Sequence, residues 1–224
     1  MTKIALPKPI QNQIPSPCTI GSWTPASWEE FLQISENPDY EKSKFYYYHG
    51  SYFLKMGVGS NHAFDNTAVI ILLSIFCMLK NIPIKGLTNC SYRKQGLREC
   101  QPDISYYIGD RIARAPQGNS IVDLDLVPPP NLAIEIASSS LDLDLGIKRL
   151  LYEDMAVGEY WVIDIQNIKI MGFQIHANLG SDRITESQVI TGLRLSLLEE
   201  ALQRSREADN SEMGKWFMSQ VQAL

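Results

Sequence analysis

Residues 131–140 read Asn-Leu-Ala-Ile-Glu-Ile-Ala-Ser-Ser-Ser, and this stretch decides the fold. From residue 132 to residue 137 every side chain except Glu135 is apolar, which is typical of a strand buried on both faces. Prolines at 128–130 stiffen the approach to this strand, and the serines at 138–140 offer caps for a following helix. A carboxylate in such a strand is costly to bury unless a metal ion, a basic side chain or water compensates its charge.

Helices and strands alternate on both sides of this stretch. The spacing of apolar residues predicts helices that begin near Thr24 and cover Asn61 to Lys80, Ser138 to Asp154, Leu195 to Ala208 and a tail from Asn210. Predicted strands lie within Phe45 to Lys55, Ile84 to Ile108, Asn131 to Ala137, Tyr160 to Ile165, Ile168 to Ile175 and Ile184 to Ile190. Helices placed between strands indicate an α/β or α+β fold with a mixed sheet.

Length and composition limit the class of protein. The chain has 224 residues, of which 45% are hydrophobic and 20% charged, so it can bury a core without disulfides or a structural metal. The net charge of −5 excludes a surface that is basic throughout, but a local basic groove or an acidic metal site stays open. We expect a Pro-rich arm over 1–22, one domain over 23–200 and a helical extension over 201–224.

Cysteine spacing and hydropathy predict the compartment. Cys18, Cys77, Cys90 and Cys100 form no CxxC pair, so we expect reduced thiols, although Cys90 and Cys100 could meet across a hairpin. The N-terminal segment lacks the apolar core of a signal peptide. The longest apolar run, Ala68 to Leu79, is too short to span a bilayer. We therefore expect a soluble, cytoplasmic protein with no membrane partner.

Two acidic residues are candidates for chemistry. Asp103 follows Pro102 at the start of a strand, and Glu135 lies inside an apolar one. Carboxylates converging from neighbouring strands would form an oxygen site for Mg²⁺ or Mn²⁺, which gathers a phosphate oxygen and an attacking water. Two alternatives stay open: Glu135 pairs structurally with a lysine or arginine, and Asp103 is a turn residue.

The helix after Glu135 carries a lysine at a suggestive position. Asp144, Lys148 and Tyr152 are spaced four residues apart, so they share one face of a continuous helix. One interpretation is a solvated Asp–Lys pair. The other is that Lys148 leans toward Glu135, where its ammonium would hold a phosphate or the attacking water and offset developing negative charge.

Four blocks of sequence together resemble the Uma-type restriction endonucleases of the PD-(D/E)XK nuclease superfamily. They are Pro102-Asp103, residues 131–140, Asp144 to Tyr152, and Glu159 to Asp164, within a resemblance that runs from about Trp23 to Leu198. The resemblance implies a restriction-endonuclease-like mixed β-sheet flanked by helices and a metal-dependent phosphodiesterase acting on DNA.

The resemblance also implies roles for individual residues. Asp103 and Glu135 match the metal-binding acids, with Mg²⁺ or Mn²⁺ as cofactor. The superfamily lysine usually stands two residues after the second acid, where this chain has Ala137, and Lys148 matches the lysine that has moved onto the following helix. Asp144 and Tyr152 are candidate supporting residues.

The chain departs from the family pattern at an early acidic position. Tyr46 stands where the family has a glutamate, and a tyrosine cannot supply a carboxylate. Either this acid is dispensable, or Glu41 replaces it, or the protein is a weakened copy that acts as a DNA-binding or protein-interaction module. His62 matches a histidine common at the start of the long helix, where it would contact a phosphate or make a helix-start hydrogen bond.

Basic residues cluster around Asp103 and could flank a groove for nucleic acid. They are Arg93, Lys94 and Arg98 before it, and Arg111 and Arg114 after it. They would meet backbone phosphates, or they are solvated loop charges. Because cutting two strands generally needs two sites, the resemblance favours a symmetric homodimer.

Overall fold

A computed structural model describes residues 20–57, 59–178 and 180–224. Most of the predicted N-terminal arm, including Cys18, lies outside the described residues. The strands are β1 Trp23–Pro25, β2 Lys44–Tyr48, β3 Ser51–Lys55, β4 Ile84–Thr88, β5 Tyr92–Lys94, β6 Arg98–Cys100, β7 Ile104–Ile108, β8 Val122–Asp123, β9 Leu132–Ala137, β10 Glu159–Asp164, β11 Lys169–Ile175 and β12 Ser181–Ile184. The helices are α1 Trp28–Ser35, α2 Ser60–Leu79, α3 Leu141–Leu145, α4 Ile147–Asp154, α5 Leu195–Arg204 and α6 Asn210–Gln222.

The fold is α+β, as predicted, but its described strands form two mixed sheets instead of one. Sheet 1 has the order β1-β3-β2-β6-β5-β8, and sheet 2 has the order β12-β11-β10-β9-β7-β4. The parallel pairs are β5 with β8 and β9 with β10. Local hydrophobic patterning identifies strands but not their partners, because pairing depends on residues far apart in the chain.

Strand β9 lies inside sheet 2, and its two faces meet different layers. Leu132, Ile134 and Ile136 pack into a core that also includes residues of α2, α5 and α6. Ala133 and Ala137, on the opposite face, belong to a second core that includes aromatic residues of sheet 1. Because side chains alternate along a strand, Glu135 points toward this second core, between the two sheets.

Helix α1 begins later than predicted. Thr24 lies in β1, and the cap is Ser27. The Ser27 hydroxyl accepts the Glu30 N–H at 3.2 Å, and the Glu30 carboxylate accepts the Ser27 N–H at 2.7 Å. This reciprocal capping box satisfies two backbone donors, which is why the helix starts at Trp28.

The strand predicted over Ile184 to Ile190 was misplaced, and β12 ends at Ile184. Buried Glu159 explains the end of regular pairing, since its carboxylate accepts the backbone N–H groups of Gln188 and Val189. The indole of Trp161 also donates to Glu159, at 2.9 Å. The family-like block at Glu159 to Asp164 therefore has a structural role in this chain.

Helix α2 is long and apolar enough, by length and composition alone, to cross a membrane. In the fold it packs against α5 and α6, and its Leu72 and Phe76 are fully buried. A core helix of a globular protein passes the same test, so this finding is weak support for a membrane span. Cys77, Cys90 and Cys100 are free thiols, as predicted.

Candidate active site

Asp103 lies directly before β7 and is fixed against β9. Its Oδ2 accepts the backbone N–H of Ile136 at 2.8 Å, so the carboxylate lies beside the residue that follows Glu135. The Lys44 ammonium forms an ion pair with Oδ1, and His62 Nε2 lies 3.3 Å from Oδ2. Asp103 therefore lies directly before β7, next to the strand β9 that carries Glu135.

The surroundings of Asp103 keep it ionised. Burial raises the pKa of Asp103, but His62, Lys44 and Lys55 together outweigh that effect and hold the pKa well below its usual range. A carboxylate that is charged at every physiological pH is suited to bind a cation.

Glu135 is fully buried, and its two oxygens differ. Oε1 accepts hydrogen bonds from the hydroxyls of Tyr46 at 2.9 Å and Tyr152 at 2.7 Å. Oε2 has no hydrogen-bond partner and lies 3.6 Å from the ammonium of Lys148. Burial raises the pKa of Glu135, and the charge of Lys148 opposes that shift without cancelling it.

Lys148 reaches this site from a helix that is broken, not continuous. The helix predicted over Ser138 to Asp154 is interrupted at Gly146, whose backbone leaves the helical region at φ −93° and ψ −109°. A Cβ at this position would lie 2.8 Å from the carbonyl oxygen of Asp142. A second helix, α4, therefore begins at Ile147. The spacing of apolar side chains alone does not show this break in the helix.

Asp144 still meets Lys148 across this break. The Lys148 ammonium lies 2.7 Å from Asp144 Oδ1 and 4.1 Å from the centre of the Tyr46 ring. The Ser140 hydroxyl donates to Asp144 Oδ2 at 2.6 Å, so this serine orients the acid and does not cap the helix as predicted.

The side chain of Lys148 has no exposed surface, which rules out the solvated Asp–Lys pair. Burial alone lowers the pKa of Lys148, but the nearby carboxylates of Glu135 and Asp144 outweigh it and raise the pKa above its usual value. The lysine therefore supplies a permanent positive charge beside Glu135.

Tyr46 occupies the position where a glutamate was expected. Burial, and then the charge of Glu135, raise the pKa of Tyr46 well above its usual value, so it remains a neutral hydroxyl. This hydroxyl also lies 2.8 Å from the carbonyl oxygen of Gln101. Glu41 is exposed after a short 3-10 turn, so it does not replace the missing acid.

The five basic residues predicted to flank a groove are mostly engaged with protein groups. Arg93 pairs with Glu99, Lys94 with Asp125, and Arg98 with Asp154. Arg111 donates to the carbonyl of Pro129 at 3.0 Å, and Arg114 is exposed. Their contact with nucleic acid stays a prediction.

Two lysines beside Asp103, Lys44 and Lys55, were not predicted from the sequence. Lys44 and Lys55 face each other across the β2–β3 pair. Lys44 stands two residues before Tyr46, so strand alternation places both side chains on one face of the sheet. Because Tyr46 lies on the face of β2 that contacts Glu135, the two-residue spacing is the sequence signal that identifies Lys44.

Two protein carboxylates, Asp103 and Glu135, are the oxygen donors that this site offers to a divalent cation. Among the residues that the structure describes, no group of three or more His, Cys, Asp or Glu side chains is arranged to hold a metal ion. Asp103 and Glu135 nevertheless offer ionisable oxygens, and Glu135 Oε2 is a buried acceptor with no hydrogen bond. Mg²⁺ is often bound by one or two carboxylates together with water and substrate phosphates, which suits this pair.

Two buried acids on adjacent strands of a mixed sheet, with a lysine brought to them by the next helix, are features of the restriction-endonuclease-like class of nucleases. The family model described as "Uma2: Putative restriction endonuclease" matches residues 28–209. The chain belongs to this Uma2 family.

A solved structure supports the fold. The chain is similar to a "putative nuclease belonging to DUF820" from Anabaena variabilis ATCC 29413, with a TM-score of 0.53 and 20% sequence identity. The similarity covers 80% of this chain and 99% of that one. None of the curated proteins compared with the chain matches it.

Proposed function

We propose that this protein is a nuclease that hydrolyses phosphodiester bonds in DNA with Mg²⁺ or Mn²⁺ as cofactor. One observation carries the proposal: Lys148 lies 3.6 Å from Glu135 although it comes from a separate helix, while Asp103 is fixed to the adjacent N–H of Ile136. Burying so many charged groups together is costly, and such costs are typical of functional sites.

Each residue has a distinct task in this proposal. Asp103 and Glu135 would hold the cation, which supplies Lewis-acid polarisation of a phosphate oxygen and an activated water. Tyr46 and Tyr152 hold Oε1 of Glu135 and leave Oε2 available. Lys148 offsets the negative charge that develops on the phosphate.

The proposal is tested by cleavage of supercoiled plasmid DNA with Mg²⁺, with Mn²⁺ and with EDTA. We expect metal-dependent cleavage that both Asp103→Asn and Glu135→Gln abolish. Asp182→Asn is the matched control, since its side chain is 79% exposed and it also removes one carboxylate. Cleavage that persists in EDTA or in Asp103→Asn would overturn the metal-dependent mechanism.

The hydrogen bond from Tyr46 to Glu135 favours a second candidate function. A neutral hydroxyl occupies the place of an expected metal ligand, which suits a nuclease-like module that binds DNA without cutting it. In that case duplex DNA binds equally well in EDTA and in Mn²⁺, no cleavage follows, and Asp103→Asn leaves the affinity unchanged.

We also propose that the protein acts as a cytoplasmic homodimer. Cutting both strands of a duplex requires two active sites, and a two-fold symmetric dimer presents them to antiparallel strands. Light scattering during size-exclusion chromatography measures the molar mass, and a monomer at working concentration would contradict the dimer.

A further inference from the structure

A cavity of about 440 Å³ opens at the N-terminal end of α2, and it is lined by His62, whose ring contacts Asp103. Its lining comes from four segments: residues 59–62 and Asp65 in and before α2, Ser138, residues 165–166, and Arg206. The lining includes Ser60, Asn61, His62, Ser138, Gln166 and Arg206. None of the roles assigned to Asp103, Glu135 and Lys148 uses this cavity.

The N-terminus of α2 is electrically suited to an anion. The helix has 20 residues, its cap Gly59 provides no side-chain hydrogen bond, and its first turn contains no acidic residue. The first backbone N–H groups of a helix have no partner within it, and together with the helix dipole they attract negative charge. A Cβ at Gly59 would meet nothing within 4 Å, so the approach to these N–H groups is open.

His62 gives independent support for a ligand. It is 5% exposed, it lines the cavity, and its Nδ1 has no hydrogen-bond partner. Buried polar atoms are normally hydrogen-bonded, so the unpaired Nδ1 indicates a missing partner. Its Nε2 lies 3.3 Å from Asp103 Oδ2, which places this residue between the cavity and the candidate metal ligand.

Arg206 completes the lining with a guanidinium group. It forms an ion pair with Asp65 at 2.6 Å, and the Asp65 side chain is 1% exposed. A guanidinium group has five N–H donors, so this pair fixes the orientation of Arg206 and leaves other donors for a ligand.

We propose that this cavity binds a phosphate group of the nucleic-acid backbone, one that flanks the phosphodiester presented to Asp103 and Glu135. The inference rests on the proposed function, because it assigns the cavity to the same substrate. Its ligand is an anion with several acceptor oxygens, matched by helix N–H groups, the His62 imidazole and Arg206.

The test is a titration with inorganic phosphate in EDTA, followed by nuclear magnetic resonance of the histidine side chains. The chain has three histidines, so comparison with His62→Gln identifies the signal of His62. We expect phosphate to shift the His62 signal and to leave the His49 and His176 signals in place. An unshifted His62 signal would overturn the inference.

A pair of variants at Ser60 separates binding from folding. Ser60→Asp adds a negative charge at the helix start, which favours the helix dipole and repels an anion. We expect it to keep or raise the melting temperature while weakening phosphate binding about tenfold, the loss typical of one charge-assisted contact. Ser60→Asn, which changes the same side chain without adding charge, should bind phosphate more tightly than Ser60→Asp, and equal affinities of the two variants would contradict the inference.

The outcomes distinguish this inference from the proposed function. Phosphate binding is measured without metal or cleavage, so it survives if the protein proves not to be a nuclease. Conversely, the protein could cleave DNA with a KM that Ser60→Asp leaves unchanged. The nuclease assignment would then stand, and the phosphate site would be rejected. The double variant Asp65→Asn/Arg206→Gln removes both charges together and should raise KM for DNA with little change in kcat.

Discussion

The hydroxyl of Tyr46 lies 2.9 Å from Oε1 of Glu135, and this contact joins strand β2 of sheet 1 to strand β9 of sheet 2. The residues are 89 positions apart in the chain. A neutral donor thus stands against the buried acid where the family resemblance predicts a third carboxylate, in addition to Asp103 and Glu135. This arrangement lets Glu135 remain buried without metal, and it reduces the number of protein oxygens available to a cation.

Restoring the acid at position 46 should strengthen metal binding. In EDTA we expect Tyr46→Glu to lower the melting temperature, because a further carboxylate is buried beside Glu135. Mn²⁺ at about 100 times the Kd of the variant should then stabilise it by about 2.7 kcal/mol relative to EDTA, and the same Mn²⁺ concentration should stabilise the wild type less. Differential scanning fluorimetry measures both effects. Tyr46→Gln is the control, and an equal response of the two variants to Mn²⁺ would count against a metal at this position.

Removing the charge of Glu135 should separate activity from stability. The pKa of Glu135 is raised, so its ionised form is penalised in the fold. In Glu135→Gln the amide oxygen can face Tyr46 and Tyr152, and the NH₂ group takes the place of unbonded Oε2. We expect the free energy of unfolding to change by no more than about 1 kcal/mol, because removing a penalised buried charge offsets the lost attraction to Lys148, which keeps Asp144 as its counter-ion, while cleavage is lost.

Glu159→Gln is the matched control for that substitution, since Glu159 is equally buried but both of its oxygens accept hydrogen bonds. It should lower the free energy of unfolding by about 1–3 kcal/mol. The reason is that the new side-chain NH₂ group would face groups that donate hydrogen bonds to Glu159 in the wild type. Urea denaturation measures both variants. If Glu135→Gln were as destabilising as Glu159→Gln and still cleaved DNA, the contact of Glu135 with Lys148 in the wild type would be a structural ion pair.

Lys148 and Asp144 should behave as a coupled pair. Lys148→Met leaves the Asp144 carboxylate buried without a cation, which should cost about 3–5 kcal/mol of stability. Adding Asp144→Asn should recover most of that loss, as measured by urea denaturation, yet neither variant should cleave DNA. Cleavage by the double variant would show that the ammonium is not needed for the chemistry.

Asp103 should give the protein stability that is lost in acid. Its pKa in the fold is well below the value near 3.9 expected in the unfolded chain. The stabilisation is therefore complete above about pH 5 and declines as the pH falls further, because the unfolded chain then binds a proton that the folded state does not bind. Between about pH 5 and about pH 3, circular dichroism should show a steeper fall in melting temperature for the wild type than for Asp103→Asn. Parallel curves would contradict this.

Sequence patterning predicted the local elements and the acids, because both are recorded in neighbouring residues. The alternation around Glu135 identified β9, and the long apolar stretch identified α2. Patterning could not identify partners that come from distant segments. The ion pair of Lys44 with Asp103 joins residues 59 positions apart. The break at Gly146 is local, but it lies in backbone dihedral angles that the spacing of apolar residues does not record.

The central claim is that Asp103 and Glu135 hold one divalent cation next to Lys148. Anomalous diffraction from crystals soaked in Mn²⁺ tests it most directly, since the manganese signal locates the ion independently of activity. The account predicts a peak in contact with both carboxylates, with Lys44 displaced from Asp103, and no such peak in Glu135→Gln. The contradicting result would come from a wild-type crystal soaked at a Mn²⁺ concentration that supports cleavage. In that crystal Lys44 would still be paired with Asp103, and no manganese would lie between Asp103 and Glu135.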